Sequence, residues 1–278
     1  MAHCSIFREE LAITYPTYGN ALWEPDPGGV YNAVEVGDVG FIRRGYFHRL
    51  FNVLHPKDHP SHQTPPFVPE DHQQLKTIPN HIIKNEIRTG SRQHSIHFCS
   101  QYVTLESRGC GTSSSGPDDD SQVTFSCNSK QGALLSLPVP AHSEDTAAFG
   151  DFGKWMIQHI DAWFAFARGL GLGINRMEDI ILVTGRHLTK SWVNVAFNQR
   201  RRDAGVSFDV QVSSHGKVSL EQQYVHGGDL KLGPTGGVRL LHRVRHVLRF
   251  LGHNLARATR IYRKINAYLF GGSVSSAS

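Results

Sequence analysis

The sequence predicts an α+β fold: a mainly antiparallel, twisted sheet with long hairpins, one central amphipathic helix and a C-terminal basic amphipathic helix. Three observations carry this. Several segments alternate apolar and polar residues with period two around short turns. One segment, 152–170, changes to helical spacing. The segment 238–270 repeats apolar residues every three or four positions beneath charge of one sign. Runs of strands joined by short turns, with a helix set apart from them, favour an antiparallel sheet.

Residues 1–30 read as aromatic, Pro-rich and irregular. In "VEVGDVGFIRRGYFHRLFNV" (34–53), two alternating strands flank a three-residue turn, Arg43-Arg44-Gly45. Gly37-Asp38-Val39-Gly40 resembles a phosphate loop, but no helix follows it to face a phosphate. Gly37 and Gly40 are therefore expected at a bend, bulge or positive φ, and Asp38 as an acceptor for turn N–H groups. "HPKDHPSHQTPPFVPEDHQQ" (55–74) holds five prolines and reads as a polar loop. Residues 94–107 read as a strand, 108–121 as a disordered loop, and 123–139 as two strands joined by a turn.

Phe152, Trp155, Met156, Ile160, Trp163, Phe164, Ala167 and Leu170 define one helical face, and Gly169 and Gly171 stop it. "DIILVTG" (179–185) is a buried strand. Residues 204–225 form a second alternating hairpin around Ser213-Ser214-His215-Gly216-Lys217.

Charge is unevenly placed. The 278 residues carry a formal net +5, yet 233–278 hold eight Lys/Arg and no acid, leaving −3 on the first 232. This divides the chain into an α+β domain (1–232) and a basic helical tail (233–278). No apolar run of about 18 residues marks a transmembrane helix, and the N-terminus lacks a secretory pattern. Four cysteines without CxxC spacing are expected as reduced thiols of a cytoplasmic chain.

The blocks "ALWEPDPGGVYNAVEVGDVGFIRRGYFHRLFNV", "GALLSLP" and "DIILVTGRHLTKSWVNVAF" resemble an uncharacterised family of mushroom-forming (basidiomycete) fungi, over about residues 15–225. That family repeats LW-x-P, GDVG-x-I…LFN and LVTG…SW blocks in this order. The resemblance implies a shared fold and no particular chemistry; the chain departs from the pattern after about Gly233. The order of elements also resembles the gasdermin pore-forming domain. That likeness implies lipid binding and oligomeric membrane insertion without a cofactor.

Enzymatic readings are weaker. His55, His59 and His62 lie close in sequence, and a catalytic zinc takes three such ligands. Prolines interrupt the segment, so no helix aligns them, and HExxH is absent. A histidine-dependent metal hydrolase is the last alternative. Cys110 sits between glycines and reads as an exposed thiol. Arg186, His187, Lys190 and Ser191 follow a buried strand without a G-x-S-x-G elbow.

The tail carries the functional expectation. Leu241, Val244, Leu248, Leu251, Leu255, Ala258, Tyr262, Ile265 and Leu269 step by three and four. Arg239, Arg243, Arg245, Arg249, Arg257, Arg260, Arg263 and Lys264 stand at other positions and are the expected lipid- or partner-binding residues. An interfacial helix on an anionic membrane surface fits stripe and charge together. Docking on the acidic body or an acidic protein stays open; nucleic acid accounts for the charge but not the stripe. The expected protein is non-enzymatic, cofactor-free and peripheral at a membrane, where it can homo-oligomerise. A soluble interaction module is the runner-up.

Overall fold

A computed structural model describes residues 2–15, 19–25, 34–62, 68–77, 80–87, 96–110, 121–127, 129, 131–137, 140–189, 192–199, 206–212, 218–225, 228–232 and 240–246. Helix α1 spans Ala2–Thr14 and α2 spans Phe149–Gly169. All strand pairings are antiparallel among these residues, as the alternating segments required.

The first sheet has seven strands. Its path runs β1 (Asn20–Ala21), β15 (Leu240–His246), β10 (Ile181–Thr189), β2 (Asp38–Arg43), β3 (Tyr46–Asn52). Strand β9 (Ala141–Thr146) branches from β10 and carries β4 (Ile82–Ile87) at its outer side. Helix α2 lays Phe152, Met156, Ile160, Trp163 and Ala167 on Val39, Phe41, Phe51 and Leu182. That row follows the apolar spacing of its sequence.

The second sheet is β14 (Gly228–Leu232), β11 (Val193–Gln199), β8 (Gln131–Leu137), β5 (Ile96–Cys99). The third is β13 (Val218–Val225), β12 (Val206–Val212), β7 (Ser121–Cys127), β6 (Val103–Cys110). Both have the same lateral order, because the chain passes between them four times: β5 to β6, β7 to β8, β11 to β12, β13 to β14. Helix α1 covers one face of the second sheet, with Phe7 and Leu11 against Ala133, Leu135 and Ala196.

Four expectations change. Residues 2–14 are helical, not irregular: Ile6, Phe7 and Leu11 are buried at helical spacing. The turn of the β2–β3 hairpin has two residues, since Arg43 pairs with Tyr46; Arg44 and Gly45 stand at φ 54° and 93°, the positive pair of a I′-type turn. The single strand expected over 94–107 is two, β5 and β6, in different sheets. The C-terminal helix is corrected where it is described: Leu240–His246 is a strand held between β1 and β10. Leu240, His242 and Val244 alternate with Leu241, Arg243 and Arg245, so a strand was also written there, and pairing on both edges outweighs helical spacing.

The glycine bend is as the sequence required. Gly37 stands at φ 94°, and a bulge falls between Val39 and Gly40. A Cβ on Gly40 would collide with the carbonyl oxygen of His48.

Candidate functional site

Of the predicted tail residues, Arg243 and Arg245 are on β15, opposite His187 and Gly185 of β10. Arg239, Arg249, Arg257, Arg260, Arg263 and Lys264 lie outside the described residues. The described structure brings together two other features.

The first is a cationic cavity of about 120 Å³ between α1 and the β2–β3 turn, lined by Cys4, Ser5, Arg8, Ala21, Ile42, Arg44 and Gly45. No carboxylate lines it. Neither Arg8 nor Arg44 has an ion pair among the described residues. Neighbouring Arg43 is tied to the Leu172 carbonyl and lies over the Phe41 ring. His48 is held below the ordinary histidine value, first by burial and then by the charges of Arg43 and Arg44. Arg44 adopts a left-handed φ that favours Asn or Gly. The sequence signal for this site was the basic pair at a turn position where Asn is usual.

The second feature is the third sheet, formed by hairpins β6–β7 and β12–β13 joined along β7 and β12. Register places residues on one face in four rungs: Val103–Cys127–Val206–Val225, Leu105–Phe125–Phe208–Gln222, Arg108–Val123–Val210–Leu220, and Cys110–Ser121–Val212–Val218. The opposite face holds Thr104–Ser126–Ser207–Tyr224, Ser107–Thr124–Asp209–Glu221 and Gly109–Gln122–Gln211–Ser219. The first face is mainly apolar; Arg108, Ser121 and Gln222 interrupt it, Arg108 and Gln222 near bulges. At the base, Val103, Phe125 and Cys127 are buried, and Phe125 meets the His97 ring at 5.3 Å. On the polar side, the exposed hydroxyls of Thr104 and Ser126 stand 2.9 Å apart. Arms of eight residues at about 3.4 Å each reach about 27 Å. At the 35–45° tilt of membrane strands such arms span about 20 Å of the roughly 25 Å apolar band.

A polar network supports the glycine bend. Asp38 Oδ2 accepts from the Glu35 backbone N–H at 2.6 Å and pairs with Arg49 Nη2 at 2.7 Å. Its Oδ1 accepts from Asn52 Nδ2 at 2.8 Å. Burial pushes the Asp38 carboxyl up to about 6, against the pull of Arg49. The histidines of 55–74 gather beside it. His55 and His59 stack at 3.8 Å between ring centres, and His62 meets His72 edge-on at 5.5 Å. Among the described residues, no group of three or more His, Cys, Asp or Glu is placed to hold a metal ion.

Cys99 and Cys127 are free thiols pushed up to about 11 by burial, which disfavours the reactive thiolate. Among the described residues, no helix is long and apolar enough to cross a membrane, a criterion that does not bear on strands. No family model, no curated protein and no solved structure matches this chain.

Proposed function

We propose that the protein binds anionic lipid and inserts its tandem hairpins as a two-faced β-sheet, in the manner of a gasdermin-like pore former. The observation that carries the proposal is the third sheet: two hairpins, four antiparallel strands, one mainly apolar face and one polar face. A strand that crosses a bilayer needs this alternation, because lipid lies on one side and water on the other.

The cationic cavity supplies capture. Arg8 and Arg44 offer planar donors suited to a phosphoryl or carboxylate headgroup. Each cation near an anionic leaflet adds about 1 kcal/mol. Of the expected tail residues, Arg243 and Arg245 lie on a strand, so no helix over 240–246 is given a part in capture.

Assembly follows from the sheet's edges. Among the described residues, β6 and β13 each pair on one side only. Four alternating strands leave β6 and β13 antiparallel to one another. The β13 edge of one copy therefore meets the β6 edge of the next in antiparallel order. Such head-to-tail pairing closes into a ring when the rotation allows.

A second reading, a soluble module that docks an acidic partner at the same cavity, draws on the buried base of the apolar face at Val103, Phe125 and Cys127. Dye release separates the two. Vesicles containing phosphatidylserine should leak, and vesicles of phosphatidylcholine alone should not. Binding without leakage removes insertion, and absence of binding to either vesicle removes the first reading and leaves the second.

A further inference from the structure

The Asn52 backbone N–H ends β3 by donating to His62 Nε2 at 3.0 Å. A ring nitrogen that accepts must be bare, so the proton of this neutral imidazole sits on Nδ1. A second proton has one place to go, and that place faces another donor. We propose that His62 is a proton-operated latch: protonation at Nε2 expels the Asn52 N–H and frees 54–62 and 68–75 from the end of β3.

The surroundings make the latch sensitive. His62 is buried on a short 3-10 turn, Pro60–His62. Burial and then His72 hold it below the ordinary histidine value, against the pull of the Lys57 and Pro56 backbone. His55 is lowered by burial, then by His59, with Glu35 opposing. The Ser61 backbone N–H donates to His59 Nδ1 at 3.2 Å, so that nitrogen too must be bare. From α2, His159 is lowered by burial, with Asp71 opposing and His72 assisting. Arg49 adds positive charge from β3. Asp38 is linked through Asn52 and gives up its negative charge below about 6. Exposed Lys57 is bound to the Glu70 carbonyl, and Asp58 and Glu70 lie in the same segments. Acidification therefore adds charges of one sign to a packed cluster.

Opening this latch also unties its neighbours. Asn52 Oδ1 accepts from Leu54 N, Leu75 N donates to Val53 O, and His72 Nε2 meets His55 O at 2.9 Å. The first two tie the end of β3 and the residue after it to the segments, and the third ties the segments to each other. The latch is a property of the chain by itself and stands or falls apart from the membrane proposal.

The test is hydrogen exchange by mass spectrometry on the full chain without lipid, at pH 7.5 and 5.5, corrected for intrinsic chemistry. Each histidine locked neutral costs up to about tenfold at pH 5.5 relative to an ordinary imidazole. Peptides over 50–62 and 68–75 should exchange roughly tenfold faster in acid, while 149–156 of α2 changes little. His62→Gln keeps an accepting oxygen and takes no proton, so its response should fall several-fold below the wild type's, to what His55 and His159 leave. Equal wild-type protection at both pH values, or an unchanged response in His62→Gln, overturns the latch. Should that variant fail to fold, wild-type NMR decides. A common midpoint for the His62 ring and the Asn52 amide supports the latch, and separate midpoints refute it.

Discussion

Arg49 Nη2 meets Asp38 Oδ2 at 2.7 Å, a nearly buried guanidinium against a carboxylate wholly shielded from water. The pair sits under the glycine bend, where Asp38 also holds Glu35 N and Asn52 Nδ2. Asp38→Ala leaves three donors without their acceptor. It should cost about 3–5 kcal/mol, the usual result of breaking a buried pair, measured by urea denaturation.

The same carboxylate predicts a pH trend. Its folded value, about 6, lies above the unfolded 3.8. The folded chain thus keeps a proton that the unfolded chain releases, and this contribution to stability declines as pH rises from near 4 to near 6. Wild-type stability relative to Asp38→Asn should shrink across that window and level off above it. A growing difference would contradict the assignment. His55, His62 and His159 act in the other direction: their lowered values favour the fold above 6.5 and withdraw that support as pH falls.

Gly40 has no room for a side chain, since the colliding atom is backbone oxygen on the paired strand. Gly40→Ala should therefore lose more than about 3 kcal/mol in a denaturant titration, beyond the usual overpacking range. Gly150, with nothing near its added Cβ, is the control. Gly150→Ala, inside α2, should gain up to about 1 kcal/mol.

Arg44 should separate stability from function. Asn suits the left-handed position of a I′ turn better than Arg, so Arg44→Asn should raise stability by up to about 1 kcal/mol. It should weaken binding to phosphatidylserine vesicles at the same time. Arg8→Glu with Arg44→Glu should abolish that binding. Stronger vesicle binding by Arg44→Asn would remove the cavity from the capture step.

The sequence made the β2–β3 hairpin, α2, β10 and the β12–β13 hairpin legible because each is written locally, in a period of two or 3.6 and in glycine turns. Helix α1 was hidden by the aromatic, Pro-rich residues 15–30 that follow it, although Ile6, Phe7 and Leu11 around Arg8-Glu9-Glu10 carry helical spacing. Strand β15 satisfied two periods at once, and only pairing with Asn20–Ala21 and Val183–Thr189 decides between them. Cavity and sheet bring distant segments together: Arg8 and Arg44 line one cavity, and residues 121–127 pair with 206–212. Spacing along the chain does not encode such contacts. Asp38 was readable as a turn acceptor; its buried partner Arg49 was not.

A fluorophore scan along β12 reads insertion of the third sheet residue by residue. An environment-sensitive dye is placed singly at positions 207, 208, 209 and 210 in variants that still bind phosphatidylserine vesicles. Insertion gives a blue shift at 208 and 210 on vesicle addition, with little change at 207 and 209, because register sets these pairs on opposite faces. A flat profile, or shifts without alternation, would contradict it.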